Sequence, residues 1–301
     1  MKKKFITAAV TLAFAASLTA CGGSAASSSN ASSEASKSST SSSDTTEKST
    51  SDESSSTSDN AVIKVGANIT PHSEILEQAK PILAEKGITL EIVQIEDSIT
   101  PNVGVAEGSL DANYFQHEPY LEQYNEENGT DLVSIGAIHY EPFGIYAGKT
   151  TDLSELADGA TIAVPNNVTN EARALLLLQQ EGILTLKDDA GINATVEDIV
   201  DNPKNVKFKE LAPEQLVQSL PDVDLAVING NYAIEGGLSV SDALAVEADD
   251  GLAATTYANI IATTPEKAND EALLTLVEVL KSDEISNYIE ETYDGPVVPL
   301  K

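Results

Sequence analysis

From Ala61 onward, short runs of β-branched and aliphatic residues alternate with longer segments whose apolar residues return every three or four positions. Val62 to Gly66 and Ile88 to Ile95 carry the first pattern. Between them Ile75, Leu76, Ala79, Ile82 and Leu83 share one face of a predicted helix that Thr70-Pro71 opens and Gly87 closes, with Pro81 expected to kink its last turns. Further strands are predicted at Leu132 to Ile138, Thr161 to Val164, Val206 to Leu211, Val223 to Asn229 and Tyr257 to Thr263. Helices are predicted at Glu118 to Glu127, Asn170 to Glu181, Pro213 to Leu220, Pro265 to Lys281 and Asp283 to Tyr293. This βαβα order predicts α/β lobes whose helices cover mostly parallel sheets.

The first 60 residues follow neither pattern. Lys2, Lys3 and Lys4 precede an apolar run from Phe5 to Leu18, too short to span a bilayer but suited to a secretion signal covering residues 1–20. Its end, Leu18-Thr19-Ala20-Cys21-Gly22, looks like a bacterial lipobox, so Cys21 is expected to become the lipidated first residue. Between Gly22 and Asn60 there are 18 Ser and 5 Thr and no aromatic residue. Such a stretch buries too little to offset its ordering entropy. Residues 21–60 therefore read as a lipidated cysteine followed by a disordered tether, with a reach of roughly 35 Å.

Composition narrows the function. A length of 301 residues suits about two folded units, and 41% hydrophobic residues supply a core. With 48 acidic against 17 basic residues, the net charge of -31 repels nucleic acid and anionic lipid headgroups. A single cysteine excludes a disulfide framework and a thiolate zinc cluster. His72, His117 and His139 are scattered, with neither HxH nor HExxH spacing, so no metal site and no cofactor is expected. Catalysis finds no support either: GxSxG and SxxK are lacking, and no second basic residue stands beside a candidate nucleophile.

Ligands of open α/β sheets bind at the carboxyl ends of strands, which singles out three segments. Asp111 to Tyr120 is a polar and aromatic cluster expected to follow a short strand. Val164 to Arg173 turns from strand to helix, and Ala226 to Tyr232 is another strand end. Arg173 is the only arginine. If Thr169 or Asn170 caps its helix, Arg173 lies in the first turn, where the macrodipole disfavours a cation. A guanidinium fork aimed at a carboxylate accounts for the residue; so does a surface ion pair. His117 beside Phe115 and Tyr120 suits a pocket wall or an ordinary structural histidine, and Asn229 and Asn231 suit a binding site or a turn.

Four segments together carry a resemblance: Asp111-Ala112-Asn113 through Phe115-Gln116-His117 to Pro119-Tyr120; Pro165-Asn166 through Thr169-Asn170 to Arg173 and the leucines that follow it; Asn202-Pro203-Lys204-Asn205; and Ala226-Val227-Ile228-Asn229. From about Ile63 to the C-terminus the chain resembles the NlpA-type methionine-binding lipoproteins, substrate-binding components of ABC importers. The resemblance implies a periplasmic-binding-protein-like fold of type II. Two α/β lobes, 61–143 plus 232–301 and 144–231, would be joined by crossings near Gly144 to Ala147 and Asn229 to Asn231, with a ligand cleft between them. It implies Phe115, His117 and Tyr120 around the ligand side chain, Arg173 on the α-carboxylate, and Asn229 and Asn259 on the ligand backbone. It further implies a monomer, lipid-anchored on the extracytoplasmic face of the cell membrane, that delivers methionine or a close relative to a permease and its ATPase. Ser98 stands where the family commonly has tyrosine. The pocket is therefore expected to be larger or more polar, with room for a methionine derivative, a methionyl dipeptide or another amino acid. From another class, a surface adhesin or structural lipoprotein without a transport role is the alternative.

Overall fold

The computed structural model describes residues 60–247 and 252–300. The signal segment, Cys21 and the tether up to residue 59 lie outside the described residues. The chain runs β1 (Ala61–Ala67), α1 (Glu74–Glu85), β2 (Ile88–Gln94), α2 (Thr100–Ala106), β3 (Ala112–His117), α3 (Glu118–Asn128) and β4 (Val133–Tyr140). It continues through β5 (Gly144–Ala147), β6 (Thr161–Pro165), α4 (Val168–Gln180), β7 (Thr185–Leu186), β8 (Ile199–Asp201), β9 (Lys207–Leu211), α5 (Leu216–Ser219), β10 (Leu225–Ile228) and α6 (Gly230–Glu235). The last elements are β11 (Ala243–Val246), α7 (Leu252–Thr256), β12 (Asn259–Thr263), α8 (Glu271–Leu280), α9 (Asp283–Tyr293) and β13 (Val298–Pro299).

Helix α1 forms for the reason its pattern predicts: Ile75, Leu76, Ala79 and Leu83 make one fully buried face, and Gly87, with φ of 78°, turns the chain into β2. The helix continues through Pro81 to Glu85. Two main sheets result, ordered β13-β4-β12-β3-β1-β2 and β11-β5-β10-β6-β9. One face of the first packs on α1, α8 and α9, and the other on Val105, Leu121 and Tyr124 of α2 and α3. The second sheet buries Ala172, Leu175 and Leu178 of α4 on one side and Leu216, Tyr232 and Ala233 on the other.

The sheets differ from the expected parallel pattern. β1 pairs in parallel with β2 and β3, and β6 with β9 and β10. β12, however, inserts antiparallel between β3 and β4, and β5 is antiparallel to β10 and β11. In the first sheet the antiparallel pairs arise because the C-terminal part of the chain returns as β12 and β13 to complete it. The segment expected to follow a strand is itself β3, buried at every position. Its polar side chains are satisfied in place: Asn102 donates to Gln116 at 2.8 Å, while Asn113 and Gln116 donate to Asn102 at 2.8 and 2.7 Å.

The passage from β4 to β5 changes sheets within Glu141 to Phe143, just ahead of the expected crossing, since Gly144–Ala147 is already a strand of the second sheet. On the return, Asn229 to Asn231 lead into α6, and β11 still pairs with β5. The first sheet is regained at β12. The range 232–301 expected for one lobe thus includes a strand hydrogen-bonded within the other.

Candidate functional site

A cleft opens between the two sheets at the end of β3, the end of β10, the crossing after β4 and the N-terminal half of α4. Ser98, Phe115, His117, Tyr120, Arg173, Asn229 and Asn259 line it, together with Glu141, Phe143, Asn170 and Gly230 to Tyr232. All six residues expected around a ligand are therefore brought to one cavity, although they come from five separate elements.

The aromatic wall belongs to β3 and α3. Phe115 and Tyr120 meet edge to face with ring centroids 6.0 Å apart, and the Tyr120 hydroxyl donates to the Ser98 carbonyl at 2.7 Å. Burial pushes Tyr120 up to about 12. His117 caps α3: its Nδ1 accepts from the Tyr120 N–H at 3.2 Å, and Nε2 lies 3.0 Å from Asn170 Oδ1. Burial first, and the charge of Arg173 second, lower its pKa to about 4, so the imidazole is neutral near pH 7. His117 thus makes structural hydrogen bonds and also lines the cavity.

Arg173 is 3% exposed. The cap of α4 is Asn167, whose side chain accepts from Asn170 N at 3.2 Å, so Arg173 sits in the second turn rather than the first. The macrodipole objection lapses there, because the dipole acts within the first turn. Its guanidinium lies 4.1 Å from the Phe143 ring, 4.4 Å from Tyr257 and 5.4 Å from Tyr140. Nε donates to both carboxylate oxygens of Glu247 at 2.9 and 3.0 Å. Nη2 donates to Glu247 Oε2 at 2.6 Å and to the Glu141 carbonyl at 2.7 Å. The ion pair weighed from sequence exists, but it is buried. Burial raises Glu247, yet the charge and hydrogen bonds of Arg173 outweigh it and hold the carboxyl below its ordinary range.

Below the cleft lies a second buried group. Glu141 Oε1 is 2.7 Å from His139 Nε2 and 3.5 Å from His72 Nε2, while Oε2 accepts from Asn231 N at 2.7 Å. Tyr114 hydrogen-bonds His139 Nδ1, and His72 Nε2 lies 2.9 Å from Asn259 Oδ1. A β-carbon on Gly230 would stand 2.8 Å from Glu141 Cβ, so only glycine lets the crossing pass there. Burial lowers His72 to about 4 and His139 to about 3, and raises Glu141. Two of the three histidines, His72 and His139, are not scattered as their spacing suggested. With Glu141, His72 and His139 bring their ligand atoms within 4.8 Å of one another. A tetrahedral ion with bonds of about 2.0 to 2.2 Å would hold its ligand atoms about 3.3 to 3.6 Å apart, so the 2.7 Å contact of His139 with Glu141 is that of a hydrogen bond.

The asparagines are not turn residues. Asn231 lies in α6 and donates to Asn68 Oδ1 at 3.3 Å, and Asn229 stands just before that helix. Asn229 Oδ1 is buried without a hydrogen-bond partner. Sequence reasoning missed Glu141, Glu247, Tyr257 and the pairing of His72 with His139. Glu141 had one available signal, an acid directly after an apolar strand and before Pro142. Glu247 heads the run Glu247-Ala248-Asp249-Asp250, which reads as a solvated face.

Two α/β lobes, two crossing segments and a cleft of charged, amide and aromatic groups define a substrate-binding protein of the periplasmic-binding-protein type. The chain belongs to the NlpA lipoprotein family, which matches residues 63–301. It is 44% identical over 244 residues to the methionine-binding lipoprotein MetQ of Bacillus subtilis, covering 79% of this chain and 88% of that one. A crystal structure of a putative lipoprotein from Ruminococcus gnavus superposes with a TM-score of 0.79 at 56% identity, covering 80% and 99% of the two chains. A nutrient binding protein from Burkholderia cenocepacia, solved bound to methionine, superposes with a TM-score of 0.76 at 38% identity, covering 79% and 100%. Among the described residues no helix is long and apolar enough to cross a membrane.

Proposed function

We propose that this protein captures a free amino acid, methionine or a close relative, and delivers it to the permease and ATPase of an ABC importer. Arg173 and the Asn259 amide nitrogen donate to the α-carboxylate, and Asn229 and Glu141 accept from the ammonium. Phe115, His117 and Tyr120 enclose the side chain. The lobes are read as 61–143 plus 232–301 and 144–231, with Ala243–Val246 lending its hydrogen bonds to the second. Lipidated Cys21 holds the monomer at the extracytoplasmic face of the cell membrane, and the protein performs no catalysis.

The observation that carries this reading is the unpartnered Asn229 Oδ1, a buried acceptor in the same cleft as a buried guanidinium. An unmade hydrogen bond costs about 1–3 kcal/mol, and an ammonium recovers it. Charge-assisted bonds net about 1.5–3 kcal/mol each, and burying a methionine-sized side chain adds a similar amount. Together they reach roughly -8 kcal/mol, micromolar binding, after association costs.

Calorimetry with methionine tests it. Asn229→Ala is expected to weaken binding about tenfold while leaving the thermal midpoint of the empty protein unchanged or raised. Unchanged affinity in that variant, or no binding of methionine by the parent, defeats the reading. Ser98 favours a second one: Ser98, Tyr120, Asn167 and Pro213 also line an adjoining groove, which gives a longer methionine derivative or a methionyl dipeptide somewhere to extend.

A further inference from the structure

Arg173 does not meet the cleft as an uncompensated cation. Glu247 grips it along Nε and Nη2, Nη2 also bonds the Glu141 carbonyl, and no hydrogen bond among the described residues uses Nη1. Glu247 is itself anchored: the Tyr140 hydroxyl donates to Oε2 at 2.6 Å and the Phe143 N–H at 3.3 Å. Those anchors sit on either side of the first crossing, and Glu247 follows β11, so one carboxylate ties the returning segment to that crossing and to α4. The guanidinium is rigidly placed, stacked between rings and neutralised by its neighbour.

The rest of the cleft lining differs. It offers the Glu141 carboxyl group and the unpartnered Asn229 Oδ1, both acceptors, with no second cation lining the cavity. The imbalance bears on what the cleft admits. A ligand carboxylate gains an N–H donor pair whose charge is already matched, and it enters near the Glu247 carboxylate. A ligand ammonium meets acceptors at Asn229 and Glu141.

We propose that Glu247 is a specificity-determining positioning residue: by neutralising Arg173 it makes the ammonium, not the carboxylate, the required half of the ligand, so that simple carboxylic acids are refused. This rests on the amino-acid reading of the cleft given above. It reverses what a buried arginine in a binding site suggests on its own, namely that the acid end dominates recognition.

The test divides the ligand. Calorimetry or competition binding is run with methionine, with decarboxylated methionine and with desamino methionine, on the parent and on Glu247→Gln and Glu247→Asp. The parent should bind the amine at least about tenfold more tightly than the acid, the scale expected of one extra charge at short range in a partly buried site. Glu247→Gln should shift that ratio about tenfold or more toward the acid, and Glu247→Asp should keep the parent's preference. A merely structural role for Glu247 would weaken all three ligands alike and leave the ratio where it was. Parent protein that binds the acid as tightly as the amine overturns the proposal, even if Glu247→Gln fails to fold. Methionine binding with an unmoved ratio defeats this inference alone, whereas no methionine binding defeats the amino-acid reading beneath it.

Discussion

Arg173 and Glu247 meet as opposite charges, each making several hydrogen bonds, whereas Glu141 lies between two imidazoles that burial keeps neutral, one with an unpartnered Nδ1. Both groups are buried and both border the cleft, yet they solve the desolvation problem differently. The first keeps its charges and matches them. The second suppresses charge on its histidines and spreads hydrogen bonds across Tyr114, Asn259 and Asn231. One consequently keeps its charges into acid below the ordinary carboxylate range, whereas the stability contributed by the other falls as pH drops below 6.5.

The largest expected effect comes from breaking the matched pair. Arg173→Ala leaves the Glu247 carboxylate buried and unpaired, which costs about 3–5 kcal/mol of stability. It also removes a carboxylate donor and leaves the Glu247 charge unmatched near the ligand's acid end, so calorimetry should find methionine binding weakened about tenfold or more. Full affinity in a folded Arg173→Ala protein would show that the pair is structural only.

Acid should separate the two groups. His72, His117 and His139 have folded pKa values of about 4, 4 and 3, below the ordinary 6.5, so the unfolded chain takes up protons first. Their contribution to stability is complete above pH 6.5 and is lost as pH falls toward 4, by at most about 1.4 kcal/mol per unit per histidine. Glu141, raised by burial, offsets part of this loss on the acid side. Glu247, held low, gives up its contribution only as pH falls below about 4.5. Denaturant midpoints should therefore fall between pH 7 and 5, and His72→Gln should flatten that slope. A flat profile in the parent would mean that the histidines are not held neutral.

The smallest effect is at the cleft rim. Ser98→Tyr should tighten methionine binding a few-fold by burying more apolar surface, and should weaken binding of longer derivatives. An isothermal titration with both ligand types reads the difference, and tightening of both would remove Ser98 as the gate.

Where periodicity was strong, the fold was legible in the sequence. The helix predicted at Asp283 to Tyr293 forms with those bounds, and Thr161 to Val164 lies within β6. β3 was not legible as a strand, because Asn113, Gln116 and His117 are polar residues buried on both faces, and alternation cannot show a strand whose polar side chains are satisfied by partners outside it. Arg173 stood out by being alone. Glu247 did not, because an acid among 48 carries no local signal of its partner.

Residue order alone settled the strongly periodic helices and strands, where a ligand could meet strand ends, and which side chains could recognise a zwitterion, since these follow from local periodicity and the chemistry of each group. Tertiary structure decided the rest: that β12 enters between β3 and β4, that His72 and His139 share one carboxylate, and that Glu247 reaches Arg173 across 74 residues. Those outcomes depend on desolvation and hydrogen bonding between distant segments, and such energies exist only once the chain has brought the partners together.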